Sequence, residues 1–565
     1  MPKWILFSFL SLICSQWCMA DISSVKVVEP AMSQYERTVI DVQLKASWTN
    51  PYRESDVALW ATISTPSGKA LRLPGFYVSG DSKKLSNWRF HFAPREVGAY
   101  QFSIELLDDQ RTAGKPKIIT ANAKASNKPG FLQVNDLWTL KFDNGQLFRG
   151  VGENFGWEHR DEDDSRYFKA LHEDPRFTYD VMLPKLHRQG ANFVRTWMIF
   201  WNLPVDWQTV SNASRYKNSS ERFNASGIAR MDELVALAEN NNIYLMLAMD
   251  SHAGFIGENW DINPYNRKNG GFASTPEEFF SSPKARQQYQ EKLRYLVARW
   301  GYSANIAAWE FFNEVDNVMY AEDKTIPDAL VTEWHQVMSD YLADIDPYNH
   351  IMTTSISHRD VAGLNDLPNI DINQRHIYKA TDKIPGTLRD YSAQAKKPYV
   401  IGEFGFEWDW SINFNDVKAG MVGDFKKGLW YGLFSPTPVM PMSWWWEYFD
   451  EHGTTAYFAH VQEINQLILQ SATQPLKDMD VQVNSDRVGV LAIDNGSKQF
   501  IYLNNPLARK QTVNLQLPPQ FSASKANVQI YDGETGTYEQ LTRVNKGKLN
   551  GVKLPAHGNS ILIIH

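Results

Sequence analysis

Between about residue 129 and residue 472 the chain repeats one alternation. Short segments are apolar almost without a break, and longer ones between them carry apolar residues at three- and four-residue spacing. The unbroken runs are Phe148–Gly152, Asn192–Trp197, Ile243–Met249, Ile306–Phe312, Ile351–Ser355, Ile372–Tyr378, Tyr399–Phe404 and Val439–Trp446. They read as strands covered on both faces. The periodic segments Ile228–Asn240, Arg286–Trp300, Ala329–Ile345 and Tyr457–Leu469 read as amphipathic helices. Eight buried strands separated by helices predict a (β/α)8 TIM barrel. The stretches Trp201–Ser226 and Phe255–Pro283 are long enough to wall a cleft. A doubly wound open sheet is the alternative, but the Gly-rich phosphate turn it usually carries is missing.

On either side the pattern is of short strands separated by turn residues. Val39–Leu44, Val57–Ile63 and Gly98–Leu106 are divided by Asn50-Pro51, Pro66-Ser67-Gly68 and Gly80-Asp81. Beyond the barrel come Val488–Ile493, Gln499–Asn504, Thr512–Leu517, Val528–Tyr531 and Ser560–Ile564, with turns at Asp494-Asn495-Gly496 and Asp532-Gly533-Glu534. Both flanks read as β-sandwiches. The expected division is an export signal over 1–20, an N-terminal β-sandwich over 21–128, the barrel over 129–472 and a C-terminal β-sandwich over 473–565, with Asn127-Lys128-Pro129-Gly130 as linker.

The signal reading rests on Lys3, the apolar run Trp4–Ile13 and the small residue Ala20 before Asp21. It predicts a periplasmic or extracellular protein cleaved near Ala20. A lipid anchor on Cys14 or Cys18 is the rival, disfavoured by bulky Ile13 and Trp17. Both cysteines lie in this segment, so a processed chain has no disulfide, thiol nucleophile or thiolate metal site. No later run is long and apolar enough to span a bilayer. Cleavage moves the net charge from −7 to −8, and no basic tract points to nucleic acid. Of 20 tryptophans, 15 fall between residues 129 and 472, a supply of flat apolar faces suited to sugar rings. Strand alternation across Trp444-Trp445-Trp446 would send at least one ring to each face.

Two of the buried runs end in glutamates: Trp309-Glu310-Phe311-Phe312-Asn313-Glu314 and Tyr399-Val400-Ile401-Gly402-Glu403. A carboxylate at the end of an apolar strand is costly unless partnered or used. Two of them at the mouth of one barrel are the minimum equipment for cleaving a glycosidic bond. A single Asn-Glu pair is ordinarily a solvated loop; the order around the barrel is what gives these acids weight. Glu310 has an even spacing from Glu314 and is a decoy for the acid, with a structural role favoured by its depth. Glu407 and Glu447 are rivals near strand ends, Glu407 the stronger one for the nucleophile.

These motifs resemble the retaining glycoside hydrolases of the cellulase and mannanase group, a clan A, family 5-like barrel. The resemblance makes Glu314 the acid/base and Glu403 the nucleophile. It places Arg195, His376, Tyr378 and Trp446 at matching positions on the second, sixth and eighth strands. Pro94–Tyr100 resembles the accessory module, of the DUF5060 type, that precedes some such barrels. Physical chemistry assigns roles on the same lines. Glu314 must be protonated, with a raised pKa beside a negative Glu403. Arg195 and Tyr378 would hold Glu403 charged, and Asn313 would donate to a neighbouring sugar hydroxyl. Trp157, Trp197, Trp201, Trp444 and Trp446 are candidate sugar platforms, and Glu153 and Asn154 candidate glycone contacts. His252 either lines the site or braces its loop, and Arg195 and His376 have purely structural readings as well.

The expected function is a secreted retaining β-glycoside hydrolase acting on a plant or algal polysaccharide, with endo action favoured and no cofactor. A carbohydrate-binding protein on an inactive barrel and a transglycosylase are the alternatives. No metal is expected: there is no His-Glu-x-x-His helix, and Glu158–Asp164 lacks an EF-hand's glycine and spacing. That acidic run reads by default as a solvated loop, with calcium or a substrate hydroxyl as the alternative it could bind. No Gly-x-Ser-x-Gly elbow points to an esterase.

Overall fold

The structure, a computed structural model, describes residues 20–28, 31–320, 325–519, 526–541 and 544–565. The expected export signal lies outside these residues apart from Ala20. The chain divides into two compact units, one ending at Ala125 and the other running from Ser126 to His565.

The first unit is a sandwich. One sheet orders Asp21–Val27, Thr38–Lys45, Leu85–Phe92 and Phe76–Gly80; the other orders Ala31–Ser33, Arg111–Lys124, Gly98–Asp108, Val57–Ser64 and Ala70–Pro74. Alternate residues point inward, so Ile40, Val42, Leu44, Phe90 and Phe92 of the first sheet are buried, as are Leu59, Ala61, Ile63, Phe102 and Ile104 of the second. The Phe92 and Phe102 rings join the two sheets at 5.4 Å. Within Pro94–Tyr100, the Tyr100 hydroxyl donates to the Glu96 carbonyl (3.0 Å) and accepts from the Glu96 N–H (2.8 Å), which pins the turn.

The second unit is built on a parallel barrel. Its strands run in chain order: β1 (Gly152–Asn154), β2 (Phe193–Trp197), β3 (Tyr244–Ala248), β4 (Ile306–Glu310), β5 (Ile351–Ile356), β6 (Ile372–Tyr378) and β7 (Tyr399–Gly405). Segment 439–443 closes the ring through parallel bridges Gly150–Val439, Glu153–Ser443 and Phe404–Ser443. Outer helices follow: α1 (Tyr179–Arg188), α2 (Ala225–Asn241), α3 (Pro283–Trp300), α4 (Asp328–Ile345), α5 (Ile384–Ala395), α6 (Lys418–Leu433) and α7 (Phe458–Ser471). Between β5 and β6 only the single turn Leu364–Asp366 intervenes.

Two strand expectations need correction. Phe148 belongs to a small antiparallel sheet of Leu132–Val134, Leu140–Phe142 and Leu147–Phe148, and the barrel strand starts at Gly152. Leu140, Phe142 and Phe148 share one cluster with the barrel residues Phe193, Tyr244, Met246, Val400 and Val439, so they plug the barrel's amino end. Strand and plug are equally apolar, which hides the boundary from a periodicity argument. At the other end the run Val439–Trp446 is not one strand. Trp445 is left-handed (φ 67°) and caps a helix over Trp446–Glu451, so strand alternation does not govern the three tryptophans.

The second unit ends in a sandwich of a six-stranded and a three-stranded sheet, with a core that includes Ile501, Leu503, Val513, Leu515, Val552 and Leu562. It packs on α6 and the start of α7: Tyr502 stacks on Trp430 (6.0 Å) and on Phe434 (5.5 Å), and Lys426 pairs with Glu534 at 2.5 Å.

Candidate active site

β4 carries Glu310 into the barrel and then stops. The next residues leave the strand, and Glu314 adopts a left-handed conformation (φ 52°, ψ 54°), its N–H donating to the Ser355 hydroxyl at 2.9 Å. The shared facing of Glu310 and Glu314 expected from even spacing is therefore lost. β7 aims Glu403 by another device. Its pairing skips Gly402: Arg375 faces Ile401, and His376 faces Glu403. Ile401 and Phe404, three apart, both pack outward with Ile384 and Leu388 of α5, so the strand's alternation is reset between them. At Gly402 a Cβ would lie 1.8 Å from the Gln374 amide oxygen, so a larger residue would have to displace that side chain.

The two acids converge. One oxygen of Glu314, one of Glu403 and a ring nitrogen of His376 all lie within 4.8 Å of one another. His376 Nδ1 is 2.6 Å from Glu314 Oε1 and 3.4 Å from Glu403 Oε2. Asn317 donates to Glu314 Oε2 at 2.8 Å, and His252 Nδ1 stands 3.5 Å from the same oxygen. Glu403 accepts from Arg195 Nη1 at 2.9 Å and from the Tyr378 hydroxyl at 2.7 Å. Both its oxygens thus already face donors from the protein.

Arg195 is wholly buried and spends its whole fork inside the barrel. It meets Glu310 twice, Glu403 once, Asn154 Oδ1 at 3.0 Å and Asn313 Oδ1 at 2.6 Å. Glu310 is its structural counter-ion, which settles the decoy. Asn313 reaches His252 Nδ1 (3.2 Å) and the Ser251 hydroxyl (3.3 Å) with its amide nitrogen, tying the loop after β3 to that after β4.

The electrostatics reverse one expectation. Burial pushes the Glu314 carboxyl up, but the bond and charge of His376, with His252 and Arg195 behind it, bring it down to about 2. Glu403 is raised by burial and by the Glu314 charge, against His376, Arg195 and Tyr378. His376 is raised, because the two carboxylates outweigh its burial. Glu314 is thus held below the ordinary carboxylate range and His376 above the ordinary imidazole range, and the two share a proton across one 2.6 Å hydrogen bond.

Above the acids opens a cavity of about 770 Å³. Trp157, Trp197, Trp201, Trp444 and Trp446 all line it, with His252, Glu314, His376 and Tyr378. Trp157 sits centrally, edge-to-face with the other four at 5.0 to 5.5 Å between ring centres. Trp445 lines the cavity as well and donates its indole N–H to the Glu407 carbonyl at 2.7 Å. Of the stretch Trp201–Ser226 only Trp201 reaches the cavity; Ile256 and Asn259 represent the second stretch.

Several candidates lie elsewhere. Glu153 does not line the cavity; it is buried beside Ser443, and burial with the charges of Asp450 and Glu447 raises its carboxyl well above the ordinary range against Lys185. Asn154 lies beneath the site, donating to the carbonyls of Gly402 and Ser443. Glu407 caps its own loop, accepting from the Trp408 and Asp409 N–H groups and pairing with Lys379 at 2.7 Å, away from the nucleophile's place. Glu158, expected in a solvated loop, is buried between Arg215 (2.5 Å) and Arg230 (2.6 Å). Trp408 and Trp410, not among the residues expected at the site, line the cavity while remaining 56% and 57% exposed. Their signal was two tryptophans in a polar loop directly after β7.

Residues 161–421 match the family described as Cellulase (glycosyl hydrolase family 5), and residues 31–106 match the domain of unknown function DUF5060. Among curated relatives, mannan endo-1,4-beta-mannosidase A of Podospora anserina is 24% identical over 283 residues, covering 43% of this chain and 71% of that protein. Mannan endo-1,4-beta-mannosidase F of Aspergillus fumigatus is 25% identical over 270 residues, covering 44% of this chain and 52% of its own length. A solved structure from Bacteroides vulgatus, provisionally described as a glycoside hydrolase, covers 95% of this chain and 99% of its own at TM-score 0.64 and 13% identity, a likeness of fold.

Proposed function

We propose that the chain, a clan A glycoside hydrolase whose family 5-type segment follows an accessory module in the sequence, is an exported, retaining endo-β-glycanase. The observation that carries the reading is the approach of Glu314 and Glu403 oxygens to within 4.8 Å. A separation of about 5–5.5 Å suits direct attack by one carboxylate, whereas inversion needs room for a water between them.

Glu403 is the nucleophile. Arg195 and Tyr378 orient its two oxygens and lower the cost of its charge. It attacks the anomeric carbon as the glycosidic oxygen leaves with a proton, giving a covalent glycosyl-enzyme. That proton belongs to the Glu314–His376 pair. With the proton on His376 Nδ1 or on Glu314 Oε1 the pair carries the same total charge, so transfer across 2.6 Å readies the acid without charging the site. Water then attacks the anomeric carbon, breaking its bond to Glu403 and yielding a proton to Glu314, which frees the Glu403 carboxylate and restores the pair.

The tryptophan-lined cavity supports a chain of sugar rings as substrate, and the relatives' names make β-1,4-mannan the first polysaccharide to test. Incubation with soluble β-mannans and β-glucans, with product sizing and proton NMR of the first-formed anomer, tests the reading. Short oligosaccharides of β configuration are expected; α-configured first products would overturn retention.

A further inference from the structure

One corner of the cavity is built from polar side chains close to the tryptophans. Arg160, Asp164, Ser165 and His172, from the connection after β1, line it together with Glu447, from the helix that follows segment 439–443. Glu447 is 3% exposed, yet among the described residues its carboxyl is bonded only by its own backbone N–H. Burial raises its pKa, and the charges of His172 and Arg160 oppose the rise. The Arg160 side chain lies over the Trp157 ring at 5.1 Å; one of its nitrogens holds Asp163, while Nε is buried without a partner. His172 is fixed by Asp163, with Nδ1 3.3 Å from Oδ1. Buried acceptors and donors left open on one wall are costly unless something completes them.

In ring order this corner stands on segment 439–443 and β1, across the mouth from Glu314 on β4. We propose that Glu447, with Arg160 and His172, forms a recess that grips two neighbouring hydroxyl groups of one neutral sugar unit. The carboxyl accepts from one hydroxyl while the cations donate to the other. Trp157, beneath Arg160, supplies the apolar face that such a ring also needs. This rests on the reading of the protein as a glycanase, and it gives the cleft a site that tells sugars apart by hydroxyl geometry, which the flat tryptophans cannot do.

The test is calorimetric binding to the full chain. The probes are neutral β-1,4-manno- and gluco-oligosaccharides, the same sugars with ring hydroxyls O-methylated, and a uronate-containing oligosaccharide. Glu447→Ala is expected to weaken binding of the better neutral series about 10- to 100-fold, and Glu447→Gln, which preserves shape, to weaken it less. O-methylation should cost the wild type a similar factor and cost Glu447→Ala little further. Unchanged affinity in both variants, an undiminished penalty for methylation in Glu447→Ala, or tighter binding of the uronate sugar would overturn the recess. Binding that depends on Glu447 without any release of reducing ends would leave the recess standing and overturn the glycanase instead.

Discussion

Arg195 and Glu310 meet through two parallel hydrogen bonds, Nε to Oε2 at 2.6 Å and Nη2 to Oε1 at 2.7 Å, with both side chains wholly buried. This pair is the floor of the active site, since the same guanidinium also holds Glu403 and Asn313. Removing one carboxylate from a buried cation costs up to about 3–5 kcal/mol, and toward the lower figure here, where Glu403 still faces Arg195. Glu310→Gln should lower stability by that amount in urea unfolding. It should also reduce kcat, because Arg195 then loses the two-bond anchor that fixes the guanidinium against Glu403. A fully stable, fully active Glu310→Gln would remove the pair from the account.

The pH profile should be bell-shaped. Glu403 must lose its proton to attack, and its pKa is raised, so the acid limb should lie above the ordinary 4.5. The pair must keep its proton, and His376 is raised, so the basic limb should lie above 6.5. In His376→Asn the proton store is lost and the basic limb moves down toward the carboxyl range. The cation that lowers Glu403 also disappears, so the acid limb moves up. The bell of kcat/KM against pH therefore narrows from both sides; unmoved limbs would contradict the shared proton.

Removing the acid should matter in proportion to how poor the leaving group is. Glu314→Ala should cost about 10²–10⁴ in kcat on a polysaccharide. On an aryl glycoside whose phenolate leaves unaided, the first step should be nearly spared. Steady-state rates on paired substrates measure this, and equal losses on both would argue against Glu314 as the acid.

The tryptophans should separate into two kinds. Trp446 is 1% exposed, and Trp446→Ala should cost about 3–5 kcal/mol of stability through the cavity it leaves. Trp201 is only partly buried and lines the cleft, so Trp201→Ala should raise KM for long substrates and leave the melting temperature close to that of the wild type. Melting curves and kinetics on the same two variants check the division.

The barrel was legible because a strand buried on both faces cannot be written with many polar residues, and those runs mark β2 to β7 closely. The plug strand at Phe148 was not, since it is as apolar as the strand it precedes. Glu314 and Glu403 were legible as acids ending apolar runs. The devices that aim them, a left-handed residue and a skipped pairing at Gly402, leave no periodic trace. Glu153 was misplaced for a related reason: proximity to a strand's end says little about which layer a side chain enters. The lowered carboxyl of Glu314 was invisible because His376 and His252 come to it from separate stretches of chain.

The most direct test of the central claim is to trap the glycosyl-enzyme with a slow 2-fluoro β-glycoside and map the adduct by mass spectrometry of peptides. One sugar per chain is expected, carried on the peptide containing Glu403 and absent in Glu403→Gln. An adduct on Glu407, Glu447 or any other residue would contradict it.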